Sequence, residues 1–221
     1  FQLPQYSGIN WIFATMFLLG AWLIIFASLY RSDVNRPFYY PLLVMLALSL
    51  GMLLSAVSTV EFFLAWEFMT LSSYLLVNLG KNARHDGLQY LAFSVAAAFF
   101  ILAGFALAFS ETHSLQITAF SLLSENTAIV VALLLTGFLI KLGGLGVHVW
   151  LPGVYVESDD DFTAMMSGIV SKAGVFGLFV FGTQLVIQLN DMESSVVYFF
   201  YRSYVIVIKF LWNVFVSINC F

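Results

Sequence analysis

Six apolar stretches, each near the length a bilayer demands, leave this 221-residue chain little freedom in what it folds into. A helix crossing hydrocarbon about 30 Å thick needs about 20 mainly apolar residues. The runs are Ile9–Tyr30, Tyr40–Val57, Val60–Leu79, Leu88–Ser110, Thr127–Val147 and Phe162–Val186. Val196–Ile218 is ambiguous: Arg202 and Lys209 interrupt it, and glycine is absent from 190–221. That segment is either a seventh helix or an atypical tail foreign to the rest. Residues are 62% hydrophobic and 9% charged, which leaves no material for a soluble domain. The expected fold is all-α: a polytopic transmembrane bundle of six to seven helices in a multi-pass integral membrane protein.

Charge and cysteine content exclude several classes. A net charge of −4 without a basic stripe argues against nucleic acid as a partner. Cys220 is the single cysteine, so neither an internal disulfide framework nor a thiolate metal site is available. His85, His113 and His148 are scattered without ligand spacing, so no metal is expected. The cluster Gly143-Gly144-x-Gly146 follows an apolar run and not a strand, which weakens any dinucleotide reading. The chain starts at Phe1 without the basic start of a signal peptide, and is expected to be a fragment of a longer product.

Lys and Arg in short loops set topology. Arg31 and Arg36 follow the first run, and Lys81 and Arg84 follow the third. The loops on the other face, Ser58–Thr59, Glu111–Asn126 and Asn190–Ser195, hold neither. The first face is therefore placed in the cytoplasm, with the acidic loop Glu157–Asp161 on it. Asp159–Asp161 precede the sixth run, where carboxylates suit the partial positive charge of a helix start. The second and third runs are nearly contiguous and should form a tight hairpin. The fifth looks broken beyond Leu142, because Gly143, Gly144, Gly146 and Pro152 oppose regular helix. Broken helices at membrane depth occur inside protein or beside water and commonly mark transport sites. Close helix packing at those glycines is the alternative.

Ionisable side chains inside apolar runs are expensive, by roughly 2.5–3.5 kcal/mol for lysine on insertion scales. Glu67, Lys141 and Lys172 are such residues. At 1.5 Å per residue, Glu67 lies about 10 Å, Lys141 about 21 Å and Lys172 about 15 Å from the ends of their helices, all within roughly 6 Å of the midplane. Burial disfavours the charged forms of both residue types, and a nearby opposite charge favours them. A lysine whose acidic partner approaches and withdraws can thus hold or release a proton, and about 1.4 kcal/mol corresponds to one pKa unit. Glu67 is read as the modulating partner of Lys141, and Lys172 as the next carrier. A permanent ion pair tying two helices is the alternative. Thr70 and Tyr74 share the Glu67 face, where they hold water or satisfy interior polar groups. His148, two turns beyond Lys141 if helix continues, is a candidate for proton exchange or a structural histidine. Trp150 and Pro152 beside it read as a membrane-interface anchor, and Glu61 as an interfacial residue.

Three segments together resemble the antiporter-like proton-translocating subunits. They are Glu61-Phe62-Phe63-Leu64-Ala65-Trp66-Glu67, Lys141 with His148-Val149-Trp150-Leu151-Pro152, and Ser167-Gly168-Ile169-Val170-Ser171-Lys172-Ala173-Gly174. That family includes large membrane subunits of complex I, of multisubunit Na+/H+ antiporters and of energy-converting hydrogenases. The resemblance implies inverted five-helix repeats, the first at about 40–186 within a transmembrane module spanning 1–189, with 190–221 atypical. It implies proton-transfer roles for Glu67, Lys141, Lys172 and His148. Gly146 stands where many members have proline, and the second repeat is absent. The function expected is a proton- or Na+/H+-translocating subunit of a redox-driven or antiporter complex. A non-conducting assembly subunit, or a truncated remnant, is the alternative. No cofactor is expected in the chain itself. Expected partners are other membrane subunits, the lipid bilayer, and protons or Na+, in a bacterial or archaeal plasma membrane.

Overall fold

A computed structural model describes residues 7–30, 38–80, 84–144 and 148–189, so the ambiguous segment 190–221 lies outside the described residues. The first run is α1 (Ser7–Ala14) and α2 (Gly20–Leu29), joined by a π-helical turn at Thr15–Leu19. Next come α3 (Tyr39–Ser55), α4 (Thr59–Asn78) and α5 (Arg84–Thr112). A 3-10 turn at Ile117–Leu122 leads into α6 (Thr127–Leu142) and α7 (Trp150–Glu157). The last run is α8 (Asp160–Met165), a π turn at Met166–Val170, and α9 (Lys172–Leu189). The all-helical reading holds: each of the six apolar runs forms helix over most of its described residues.

The α3–α4 hairpin turns within Ala56–Ser58, and its geometry comes from a capping box. Ser58 Oγ accepts from the Glu61 amide, while Glu61 Oε2 accepts from the amides of Ser58 at 3.1 Å and Val57 at 2.9 Å. Glu61 is therefore a cap as well as an exposed residue. Serine followed three residues later by glutamate is its sequence signature. The segment after α5 is pinned across this hairpin, with Thr59 N–H donating to Leu115 O and Ile117 N–H to Val57 O. Glu111, near the end of α5, gathers the other side of that segment. Its carboxylate accepts from the amides of Ser124, Glu125 and Asn126 at 2.5, 3.0 and 3.2 Å, and from the Ser124 hydroxyl. Asp159 is the N-cap residue of α8 and Asp160 and Asp161 occupy its first turn, the place the helix dipole favours for acids.

Helix packing relies on absent side chains. A Cβ at Gly137 of α6 would lie 2.6 Å from Ile101 Cγ1 and 2.8 Å from the Ala97 carbonyl on α5. One at Gly174 of α9 would lie 2.8 Å from Leu142 Cγ and 2.9 Å from the Phe138 carbonyl on α6. Lipid supplies no hydrophobic drive between helices, so such close approach is what holds α5, α6 and α9 together.

The fifth run ends five residues earlier than the hydropathy suggested, at Leu142. Gly143 adopts the left-handed conformation (φ 68°, ψ 41°). Its N–H bonds to Ile140 O at 3.1 Å and the Gly144 N–H to Leu139 O at 2.9 Å, a Schellman ending. The break is real, and the packing alternative for these glycines is secondary at Gly143. Trp150, the first residue of α7, is 1% exposed. Its indole N–H donates to Ile140 O at 3.2 Å. The interface-anchor reading of Trp150 is thereby corrected: it is an interior residue whose indole shares Ile140 O with the Gly143 amide at the break.

Two measurements check this architecture. Gly143→Ala is expected to cost about 1–2 kcal/mol of stability, because alanine resists the left-handed region and its Cβ would collide with Leu151. Gly144→Ala, without a positive φ, should cost less; thermal melts of the two purified variants give the comparison. Glu111→Ala should lose about 1–2 kcal/mol after allowance for solvent screening. Hydrogen exchange at Ser124, Glu125 and Asn126 should accelerate in that variant and leave α4 amides unchanged.

Candidate functional site around Lys141

Lys141 occupies the last turn of α6, where the ends of the broken helix leave carbonyl dipoles that favour a cation. It is 1% exposed, one of the most completely buried large side chains described. Its Nζ donates to Tyr90 Oη at 2.6 Å, Thr70 Oγ1 at 3.1 Å and Ser94 Oγ at 3.2 Å. An ammonium has three N–H donors, and each meets one hydroxyl. The charge also lies 4.5 Å from the Tyr90 ring centroid and 6.0 Å from that of Trp66. Such faces attract a desolvated cation.

The hydroxyls are themselves oriented. Ser73 donates to the Thr70 carbonyl at 2.9 Å and lies 2.7 Å from Tyr90 Oη. With its single proton so committed, Ser73 accepts the Tyr90 phenol proton, leaving the phenol oxygen to accept from Lys141. Behind Tyr90 the Trp150 ring packs at 5.1 Å between centroids, so α7 bears directly on the lysine's strongest partner.

Glu67 is partly buried one turn before Thr70, and its Oε1 is buried without a hydrogen-bond partner. The Lys141 charge acts on it electrostatically, but no bond or ion pair joins the two within the described residues. The structure thus brings the expected acid near the lysine without closing a permanent pair. Lys172 is partly buried at the start of α9, directly after the π turn. Ser171 beside it donates to Met166 O at 2.9 Å and lies 3.5 Å from Tyr155 Oη of α7. His148 is placed apart: the helix does not continue to it, and it is exposed in the stretch before α7. Of the two residues on the Glu67 face, Thr70 is a Lys141 partner and Tyr74 is only partly buried.

Tyr90, Ser94 and Ser73 were not singled out by sequence reasoning. Tyr90 and Ser94 are four residues apart, polar positions on one face of an otherwise apolar run, and that spacing was the available signal.

Toward the N-terminal end of α6, aromatic rings fill the interior. Phe181 of α9 has centroid distances of 5.0, 4.9 and 5.0 Å to Phe62, Phe105 and Phe120, and Phe138 lies 5.3 Å from Trp66.

Residues 56–211 match the family described as NADH:quinone oxidoreductase/Mrp antiporter, TM, so the match continues past residue 190. Chain 4 3 of the NAD(P)H-quinone oxidoreductase of Trichormus variabilis is 33% identical over 200 residues, 83% of this chain and 37% of that protein. A chain of the membrane-bound sulfane sulfur reductase, an archaeal respiratory membrane complex, superposes with a TM-score of 0.70 at 31% identity, over 85% of this chain and 31% of the other. A chain of the Mrp complex from Dietzia sp. gives 0.70 at 25% identity, over 80% and 21% respectively. The chain thus spans little more than a third of the length of the curated relative it matches. Its apolar helices, the break after Lys141 and the matched residues agree: this multi-pass membrane chain belongs to the NADH:quinone oxidoreductase/Mrp antiporter transmembrane family.

Proposed function

We propose that the chain is the part of a proton-translocating membrane subunit in which Lys141 takes up and releases the proton. The observation that carries this reading is an ammonium sealed from solvent and held by three neutral hydroxyls, with a carboxylate close by yet unbonded. A structural ion pair has no use for that arrangement, since burying two charges gains most when they touch. Approach of the Glu67 carboxylate strengthens the hold of Lys141 on its proton, and withdrawal loosens it. Lys172 is the next carrier, and His148, exposed before α7, serves at the entry to the path. The proton fits this position better than sodium, because the lysine amine already fills the hydroxyl cluster that a sodium ion would need.

Other membrane subunits of a multisubunit complex are the proposed partners. Redox chemistry, where the complex has any, resides in those partners and drives the Glu67 movement from outside this chain. Coupling to cation antiport, without an electron donor, is the second form the complex takes within the family described above.

Lys141→Met is expected to reduce proton movement at least tenfold in inverted membrane vesicles, read with a pH-sensitive dye, while the complex still assembles. Lys141→Arg should fare no better, because a guanidinium fills the site but does not release its proton. Normal flux in either variant of an assembled complex overturns the reading in favour of a scaffold. Recording the flux with and without an electron donor separates redox drive from antiport.

A further inference from the structure

Beyond the aromatic rings, at the end of the bundle away from Lys141, one polar side chain has no part in the function proposed above. Gln184, in the outer half of α9, is 3% exposed. Its amide nitrogen is buried without a hydrogen-bond partner among the described residues. The adjacent Thr183 gives its hydroxyl proton to Val180 O at 2.9 Å, within its own helix, and so offers the amide no relief. A buried N–H that has left water needs an acceptor in its place.

Gln184 lines a small recess of about 40 Å³ between α9, the end of α3 and the 3-10 turn. Much of the wall is apolar, with Phe62 and Phe176 in it. Val57 and Thr118, which also line it, are exposed and belong to the face that the charge rule places outside. Leu53, Leu54 and Ala56 complete the side formed by α3, whose last residue is Ser55. A helix leaves its last four carbonyls without intrahelical donors. Ser55 Oγ reaches back to Gly51 O and Met52 O, and Val57 O takes the Ile117 amide at 3.1 Å. Those bonds fall on either side of residues 53–56. An unmet donor therefore shares the recess with a helix end rich in acceptors.

We propose that this recess is a binding site for water, where one or two molecules accept from the Gln184 amide and donate to the carbonyls that end α3. The pairing selects the class of ligand. A metal cation suits carbonyls but cannot accept from an N–H. An anion suits the amide but is repelled by the negative end of a helix dipole. Water serves both. The size agrees, since a water needs about 10–15 Å³ of such space and occupies about 30 Å³ in the liquid. Phe62 packs on Phe181 with centroids 5.0 Å apart, so the water belongs to the outer face and not to the hydroxyls around Lys141. The bridge ties α9, the helix that begins at Lys172, to the end of α3.

The test takes the full chain in its assembled complex. A map at a resolution that shows ordered water should contain a peak about 2.7–3.2 Å from the Gln184 amide nitrogen. The peak should vanish in Gln184→Met, which keeps the side chain's length and removes both polar atoms. An empty recess in a map that resolves other buried waters overturns the proposal, as does an amide bonded directly to a carbonyl. A peak about 2.3–2.6 Å from carbonyl oxygens overturns it in favour of a metal cation. Val180→Leu gives a second reading, because Val180 lines the recess and the added methylene takes up the space of a water. With Gln184 present it strands the amide, and should lower the temperature at which the complex sheds this subunit by about 2–4 °C. In the Gln184→Met background it fills apolar space and should leave that temperature unchanged or raise it. An equal loss in both backgrounds overturns the proposal, because overpacking alone does not depend on the amide. If Gln184→Met fails to assemble, Gln184→Leu is read by the same criteria.

Discussion

The arrangement around Lys141 is governed by one constraint: a cation carried into a membrane interior must have every donor met there. Three hydroxyls from two helices do this, Thr70 on α4 and Tyr90 and Ser94 on α5. Those helices must therefore keep their relative position to within a hydrogen bond. The close contacts of α5 with α6 at Gly137 fix one side of the triangle. The capping box at Ser58 and Glu61 fixes the start of α4, and the Glu111 clamp fixes the approach to α6. These parts lie far from the lysine, yet each limits how far its three partners can drift.

The helix break belongs to the same constraint. Ending α6 one residue after Lys141 exposes carbonyl dipoles close to the ammonium and frees α7 to approach from a different direction. An unbroken helix would have carried Trp150 away from Tyr90. The indole N–H is a second donor to Ile140 O beside the Gly143 amide, which ties α7 to the end of α6 while the Trp150 ring packs against the phenol. Gly143 is the position where this is decided, since its left-handed backbone is one that other residues resist.

What the sequence disclosed, and what it withheld, follows from the range of each interaction. Spanning helices were legible because hydropathy is a local sum, and the break was legible because glycine and proline act on their own backbone. Glu67, Lys141 and Lys172 stood out because an ionisable residue is rare in such surroundings. Tyr90 and Ser94 did not, although they hold Lys141 across 51 and 47 residues of chain. A serine or tyrosine in an apolar run is inexpensive enough to be unremarkable until a partner is known. Trp150 misled for a related reason: tryptophan near a helix end suits a membrane interface equally well. His148 was judged by its distance along a helix that in fact ends first, so its position depended on the one element that sequence could only mark as broken.

The interior is layered along the membrane axis, and the layering gives Lys141 a direction. On one side lie hydroxyls: Thr70, Ser73, Tyr90, Ser94, Tyr155 and Ser171. On the other, Phe62, Phe105, Phe120, Phe138 and Phe181 interlock around Trp66 from four helical elements and the 3-10 turn. The five phenylalanine rings offer a proton neither lone pairs nor exchangeable hydrogens, and the Trp66 indole N–H among them is buried without a hydrogen-bond partner, so this layer is far poorer in proton-exchanging groups than the hydroxyl side. The hydroxyl layer faces the end of the bundle where Arg84 begins α5, the end that the charge rule assigns to the cytoplasm. Gln184, 3% exposed and one turn beyond Phe181, lies on the far side of the aromatic layer from Lys141. On the function proposed above, exchange at Lys141 favours one side within this portion of the chain: a proton that enters along the hydroxyls leaves either by the same end or sideways, into whatever protein packs against the helices that carry Lys141 and Lys172.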